Sequence, residues 1–236
     1  MTHGIGTTAA GRPAGGDIRD ISPDDPTWRD TFGGVLNAVV VPRPIAWVST
    51  VAPDGTLNLA PHSYFTVLSD RPPILGFVSS GRKDTLRNLE ASGEYVINVA
   101  GDDLIESLNL TAANFPRDES EFAWAGLTPR PSATIATPGV AEAPVALEMR
   151  LLDIREYGDQ PSYLIAGTVV HARIAGRVWR DDKVAPDLLR AFGRLGGNLY
   201  SRTTDRFERI RPTYEGLRSQ GVEPVGTGSE TAAART

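Results

Sequence analysis

Val145-Ala146-Leu147-Glu148-Met149-Arg150-Leu151-Leu152-Asp153-Ile154-Arg155-Glu156-Tyr157, followed by Gly158-Asp159-Gln160-Pro161 and a second run over 163–174, decides the fold. Val145, Leu147, Met149 and Leu151 share one face while Glu148 and Arg150 fall on the other, as a half-buried strand requires. Two long strands joined by four turn residues read as a barrel wall. Upstream, 45–52 and 57–58 are short β-rich runs flanking Pro53-Asp54-Gly55-Thr56, strong hairpin chemistry. Residues 74–79 and 95–100 are further strands, and a last one is expected around Tyr200 and 206–210. Helices are short: one carrying Trp28, Phe32, Leu36 and Val39, weakened by Gly33 and Gly34; one with Leu86 and Leu89 behind Asp84 as N-cap; and two over 102–112 and 186–192. The pattern predicts a mainly β protein, a barrel with peripheral helices rather than a doubly wound sheet.

The 236 residues suffice for one well-buried domain. Residues 1–20 and 217–236 are rich in Gly, Ala, Thr, Ser and Glu without apolar periodicity, which predicts disordered tails around a folded 21–216. No apolar run is long enough to span a bilayer, and the amino terminus lacks the basic and apolar parts of a signal peptide, so the expected location is cytoplasmic, with no membrane partner. The absence of cysteine excludes disulfides, thiolate nucleophiles and iron–sulfur clusters, so redox chemistry would require a bound cofactor. A net charge of −5 argues against a nucleic-acid partner. His3, His62 and His171 are too widely spaced to suggest a metal site, and no Walker A loop, G-x-G-x-x-G or G-x-S-x-G motif is present.

Small polar residues concentrate instead in the β-rich half: Ser49, Thr50, Asn58, His62, Ser63, Ser79, Ser80, Arg82, Lys83, Asp84 and Thr85. The run from Ser79 to Thr85 ends a strand and opens a helix, bringing free N–H groups, hydroxyls and two cations to the positive end of a helix dipole, where a phosphate dianion is well held. A solvated hairpin tip with an Asp84-capped helix describes the same residues equally well. In Asn58-Leu59-Ala60-Pro61-His62-Ser63-Tyr64-Phe65, the missing N–H of Pro61 predicts that the chain leaves the ladder there and offers main-chain groups to a ligand, unless this is simply an irregular barrel corner. A flat isoalloxazine ring, with donors and acceptors on one edge and apolar faces, needs such surroundings.

The run from Pro42 to Val51, Asn58-x-Ala60-Pro61-x-Ser63, Lys83-Asp84-Thr85, the segment from Glu142 to Glu148, the strand 165–171, and Arg194-Leu195-Gly196-Gly197 with Tyr200 together resemble the flavin reductase-like, FMN-binding split-barrel family that includes flavoredoxin. The resemblance covers roughly residues 26–212. It implies a six-stranded, Greek-key-like split barrel forming a homodimer, with FMN held non-covalently near the subunit interface. It places Ser49 and Thr50 against the flavin ring or ribityl chain, Asn58, Ala60, Pro61 and Ser63 along the ring, and Ser79, Arg82, Lys83 and Thr85 at the phosphate. His171 matches a strand histidine near flavin and nicotinamide in related reductases, and equally a hydrogen-bonded structural histidine. Arg194 and Tyr200 match the carboxy-terminal signature, either closing the pocket or supporting the dimer.

The implied activity is hydride transfer from NAD(P)H to bound flavin, then delivery to an acceptor such as a monooxygenase. A flavoredoxin-like carrier that does not use NAD(P)H, a specialised biosynthetic enzyme on the same barrel, and a non-catalytic binding module are the alternatives. No separate ribose-phosphate motif selects NADH or NADPH.

Overall fold

The computed structural model describes residues 18–221, so residues 1–17 and 222–236, most of the two expected tails, lie outside it. The chain divides between Thr203 and Thr204 into two units. In chain order the first holds α1 (Phe32–Val39), β1 (Ala46–Val51), β2 (Leu57–His62), β3 (Phe65–Asp70), β4 (Pro73–Ser80), α2 (Asp84–Ser92), β5 (Glu94–Val99), a 3-10 turn (Asp102–Leu104) and α3 (Ile105–Leu110). There follow α4 (Glu121–Trp124), β6 (Pro129–Arg130), β7 (Gly139–Val140), β8 (Val145–Tyr157), β9 (Ser162–Ile174), a 3-10 turn (Gly176–Val178), β10 (Trp179–Arg180), β11 (Lys183–Val184), α5 (Pro186–Leu189), β12 (Phe192–Arg194) and β13 (Tyr200–Arg202). The second unit carries α6 (Tyr214–Ser219), capped by the Thr213 hydroxyl, which accepts the Gly216 N–H; residues 206–210 form no strand.

Seven antiparallel strands make the main sheet, in the order β2-β1-β5-β8-β9-β4-β3. The fold is the expected mainly β split barrel with short helices, although the main sheet has seven strands where six were expected. Strand β3 was not anticipated; it forms by pairing with β4, with a register shift between Val67 and Ser69. Bulges in the β8–β9 ladder, at Glu148/Met149 and Leu151/Asp153, bend these two long strands. Gly167 on β9 permits a close approach: a Cβ there would lie 2.1 Å from Tyr95 Oη and 2.9 Å from the Arg150 carbonyl oxygen.

Alternation along β1 divides the interior in two. Ala46 and Val48 join Phe77, Leu86, Leu89, Tyr95, Ile97, Met149 and Ile165 in one cluster, which α2 plugs. Trp47 points the other way, to Leu59, Leu108, Phe122, Val140 and Phe192, under α3 and α4. Trp47 Nε1 donates to Thr111 Oγ1 at 2.9 Å, tying the end of α3 to the sheet.

Four local expectations are corrected. Pro61 does not leave the ladder: it lies within β2, opposite Trp47. Leu59, two residues earlier, donates its N–H off the sheet to Glu121, so by alternation position 61 owes no ladder bond, and an edge strand tolerates proline there. Asp84 is the first residue of α2 rather than its cap; Lys83 occupies the N-cap with no side-chain acceptor. Glu148 is buried rather than outward-facing, because its carboxylate accepts the Ala133 and Thr134 N–H groups at 2.7 and 2.8 Å and the Thr134 hydroxyl at 2.6 Å. The helix expected over 186–192 stops at Leu189, where Arg190 turns left-handed (φ 49°) and Phe192 enters β12.

Candidate functional site

A cleft of about 770 Å³ opens between β2, the β4–α2 junction, residues 111–115, α1 and the turn after β12. Its volume is in the range of small-molecule sites. Both polar segments singled out in the sequence reach it: Asn58, Ala60, Pro61 and Ser63 from one side, Arg82, Lys83 and Thr85 from the other.

At the β4–α2 junction the chain turns through Gly81 (φ 81°), whose N–H donates to the Pro161 carbonyl at 3.0 Å. Ser79 is buried and its hydroxyl donates to the Gly81 carbonyl at 3.0 Å, so it shapes this turn rather than lining the cleft. With Lys83 at the N-cap, the first-turn N–H groups of α2 have no capping side chain, and Lys83 itself is exposed and in no ion pair among the described residues. Arg82 is committed to Glu90 through both guanidinium nitrogens. The Asp84 carboxylate sits between Arg117 at 2.9 Å and Arg87 at 3.2 Å, so its charge is offset where an anion would bind.

Behind the cleft wall lies a buried polar network. Asn58 Nδ2 donates to Thr50 Oγ1 (3.3 Å) and Thr85 Oγ1 (3.2 Å), and Asn88 Nδ2 also donates to Thr50 Oγ1 (3.0 Å). Thr50 and Ser49 are fully buried on β1; the Ser49 hydroxyl donates to the Pro138 carbonyl at 2.7 Å, and neither residue lines the cleft. Thr85 is buried and turns its hydroxyl into this network.

The rest of the lining comes from residues outside the expected flavin contacts. Arg43 is buried and donates to the Asn37, Val40 and Leu195 carbonyls, joining α1 to the turn after β12. Tyr64 donates its hydroxyl to Asn37 Oδ1 at 2.9 Å. His62 and Glu121 also line the cleft, and both are buried. Burial pushes the His62 imidazole down to about 4, partly opposed by the Val78 carbonyl, while burial raises the Glu121 carboxyl against the pull of the Leu59 N–H. Arg43 sat in a recognisable block beside two prolines, but no local pattern marks Glu121.

Arg194 lines the cleft with its guanidinium on the Tyr200 hydroxyl and the Gly197 carbonyl. Tyr200 lies next door, in a second cleft of about 450 Å³ shared with Arg194 and Asn109. His171 is outside both: it stands on β9 with Nδ1 3.2 Å from Glu148 Oε1. Among the described residues no group of three or more His, Asp or Glu could hold a metal ion, and no helix is long and apolar enough to cross a membrane.

Residues 38–197 match the flavin reductase like domain family, and the chain belongs to that family. It is 34% identical over 203 residues to an uncharacterised protein of Halalkalibacterium halodurans, covering 82% of this chain and 96% of the relative. Among solved structures, component B of nitrilotriacetate monooxygenase from Bacillus cereus is 33% identical with a TM-score of 0.77, covering 83% of this chain and all of that one. The 2-nitrobenzoate 2-nitroreductase of Pseudomonas fluorescens is 30% identical with a TM-score of 0.73, covering 78% and 92%.

Proposed function

We propose that this chain binds FMN non-covalently in the cleft and acts as an NAD(P)H-dependent flavin reductase, a cytoplasmic homodimer that delivers electrons to a partner such as a monooxygenase. The observation that carries the reading is the meeting of an uncapped helix mouth, a free lysine and the Asn58–Ser63 corner on one cleft. These residues fit the cofactor. Lys83 and the first-turn N–H groups of α2 offer one cation and aligned donors to a phosphate, and the neutralised Asp84 does not repel it. Main-chain groups from Ala60 to Ser63 and the Asn58 amide offer polar contacts for a ring edge, while Phe115 and Leu195 offer apolar cover. Bound FMN supplies hydride acceptance at N5 and onward electron transfer. The chain's work is to bind, orient and shield the reactants, and the reading assigns no side chain as acid or base. The similarity to a monooxygenase component supports a monooxygenase as acceptor. The exposed apolar side chains of Val67, Leu68 and Val170 on β3 and β9 support self-association.

Anaerobic mixing of the FMN-loaded protein with NADH or NADPH tests the reading. Bleaching of the visible flavin band is expected with at least one donor. A loaded protein that neither bleaches would instead be an electron carrier reduced by another protein.

A further inference from the structure

We infer that His62 is a positioning residue: its imidazole fixes the polarity of the Asn58 amide, so that the cleft presents an acceptor, Asn58 Oδ1, to an N–H of its ligand. The inference rests on the FMN reading, in which the only N–H of the oxidised ring system is the imide N3–H.

From the Val78 carbonyl the bonds run in one direction to Asn58. His62 Nδ1 lies 3.3 Å from the Val78 carbonyl, which can only accept, so the ring proton sits on Nδ1. Nε2 is then a bare acceptor, 3.4 Å from Thr85 Oγ1, and the hydroxyl proton of Thr85 turns toward it. With that proton committed, Thr85 Oγ1 offers lone pairs to Asn58 and receives Nδ2 at 3.2 Å. Thr50 Oγ1, which also accepts from Asn88 Nδ2 at 3.0 Å, receives the other Nδ2 proton at 3.3 Å. Both amide protons of Asn58 therefore point into the protein, and Oδ1 accepts nothing from it and is not enclosed. A protonated imidazole would reverse the chain at Nε2, and burial against Phe77, with ring centroids 4.7 Å apart, keeps the ring neutral.

The polarity predicts a ligand preference, and the His62 variants separate it from the bulk that a methyl group adds at N3. Calorimetric titration of the full chain should show FMN binding about tenfold or more tightly than 3-methyl-FMN, whose N3 carries no proton. His62→Ala frees the Thr85 proton to bond Asn58 Oδ1, so this variant should lose the preference while still binding FMN. His62→Gln, which can place Oε1 near the Nε2 position, should restore it. Nitrogen-15 NMR of the wild-type imidazole, which does not depend on any variant folding, should show a protonated Nδ1 and a bare Nε2. A protonated Nε2, or equal affinity of the wild type for the two flavins, would overturn the inference and leave the FMN reading intact. Failure to bind either flavin would overturn the FMN reading, and this inference with it.

Discussion

Glu121 Oε2 accepts the backbone N–H of Leu59 at 2.8 Å, so a buried carboxylate in the cleft wall closes the outward edge of β2. Burial raises its pKa, helped by Asp84 and opposed by the Leu59 bond. A folded pKa above the unfolded one contributes stability at low pH that is lost as pH rises through the folded value. Glu121→Gln keeps an acceptor for Leu59 and removes the titration. Its melting temperature relative to wild type should therefore rise as the pH is raised above the ordinary carboxylate range. A difference that does not change with pH would refute the assignment.

His62 carries the opposite linkage. Its folded pKa is pushed from 6.5 to about 4 by burial, so stability is fully present above pH 6.5 and is lost as pH falls toward 4. The loss should be on the order of 3 kcal/mol, and denaturant unfolding across that range measures it. His62→Gln should show a flatter profile over the same interval.

Lys83 is exposed and unpaired, so Lys83→Ala should leave the melting temperature of the ligand-free protein unchanged. FMN affinity should fall by about 1.5–3 kcal/mol, the worth of one charge-assisted contact. Fluorescence titration gives the affinity, and an unaltered value removes Lys83 from the phosphate site.

His171 stands beside Glu148, the carboxylate that anchors residues 133–134, and outside both clefts. The side chain is 40% exposed, so screening limits its contribution. His171→Ala is expected to cost about 1 kcal/mol or less of stability and to leave FMN affinity and NAD(P)H oxidation intact. A fall in oxidation rate without a change in stability would place this histidine at the reaction.

The long β8–β9 pair was legible because thirteen-residue strands give alternation room to show. Burial of Glu148 was not, since its donors come from Ala133 and Thr134, more than a strand's length away in sequence. Pro61 was misread because a proline rule says nothing about which side of an edge strand owes a bond. On the site, the Asn58–Ser63 and Arg82–Thr85 segments were visible because each is contiguous. Asn37, Arg43, Glu121 and Phe115 reach the same cleft from separate elements, and only the fold brings them there. Ser49, Thr50 and Ser79 carry the right chemistry but turn it inward, a distinction set by the packing of β1 and β4 rather than by residue type.

Calorimetric titration of the full chain with FMN and with riboflavin tests the central claim most directly, because the two ligands differ only in the phosphate assigned to Lys83 and the mouth of α2. One FMN per chain is expected, with riboflavin weaker by about a hundredfold. Equal affinity for the two, or binding of neither, would contradict the account.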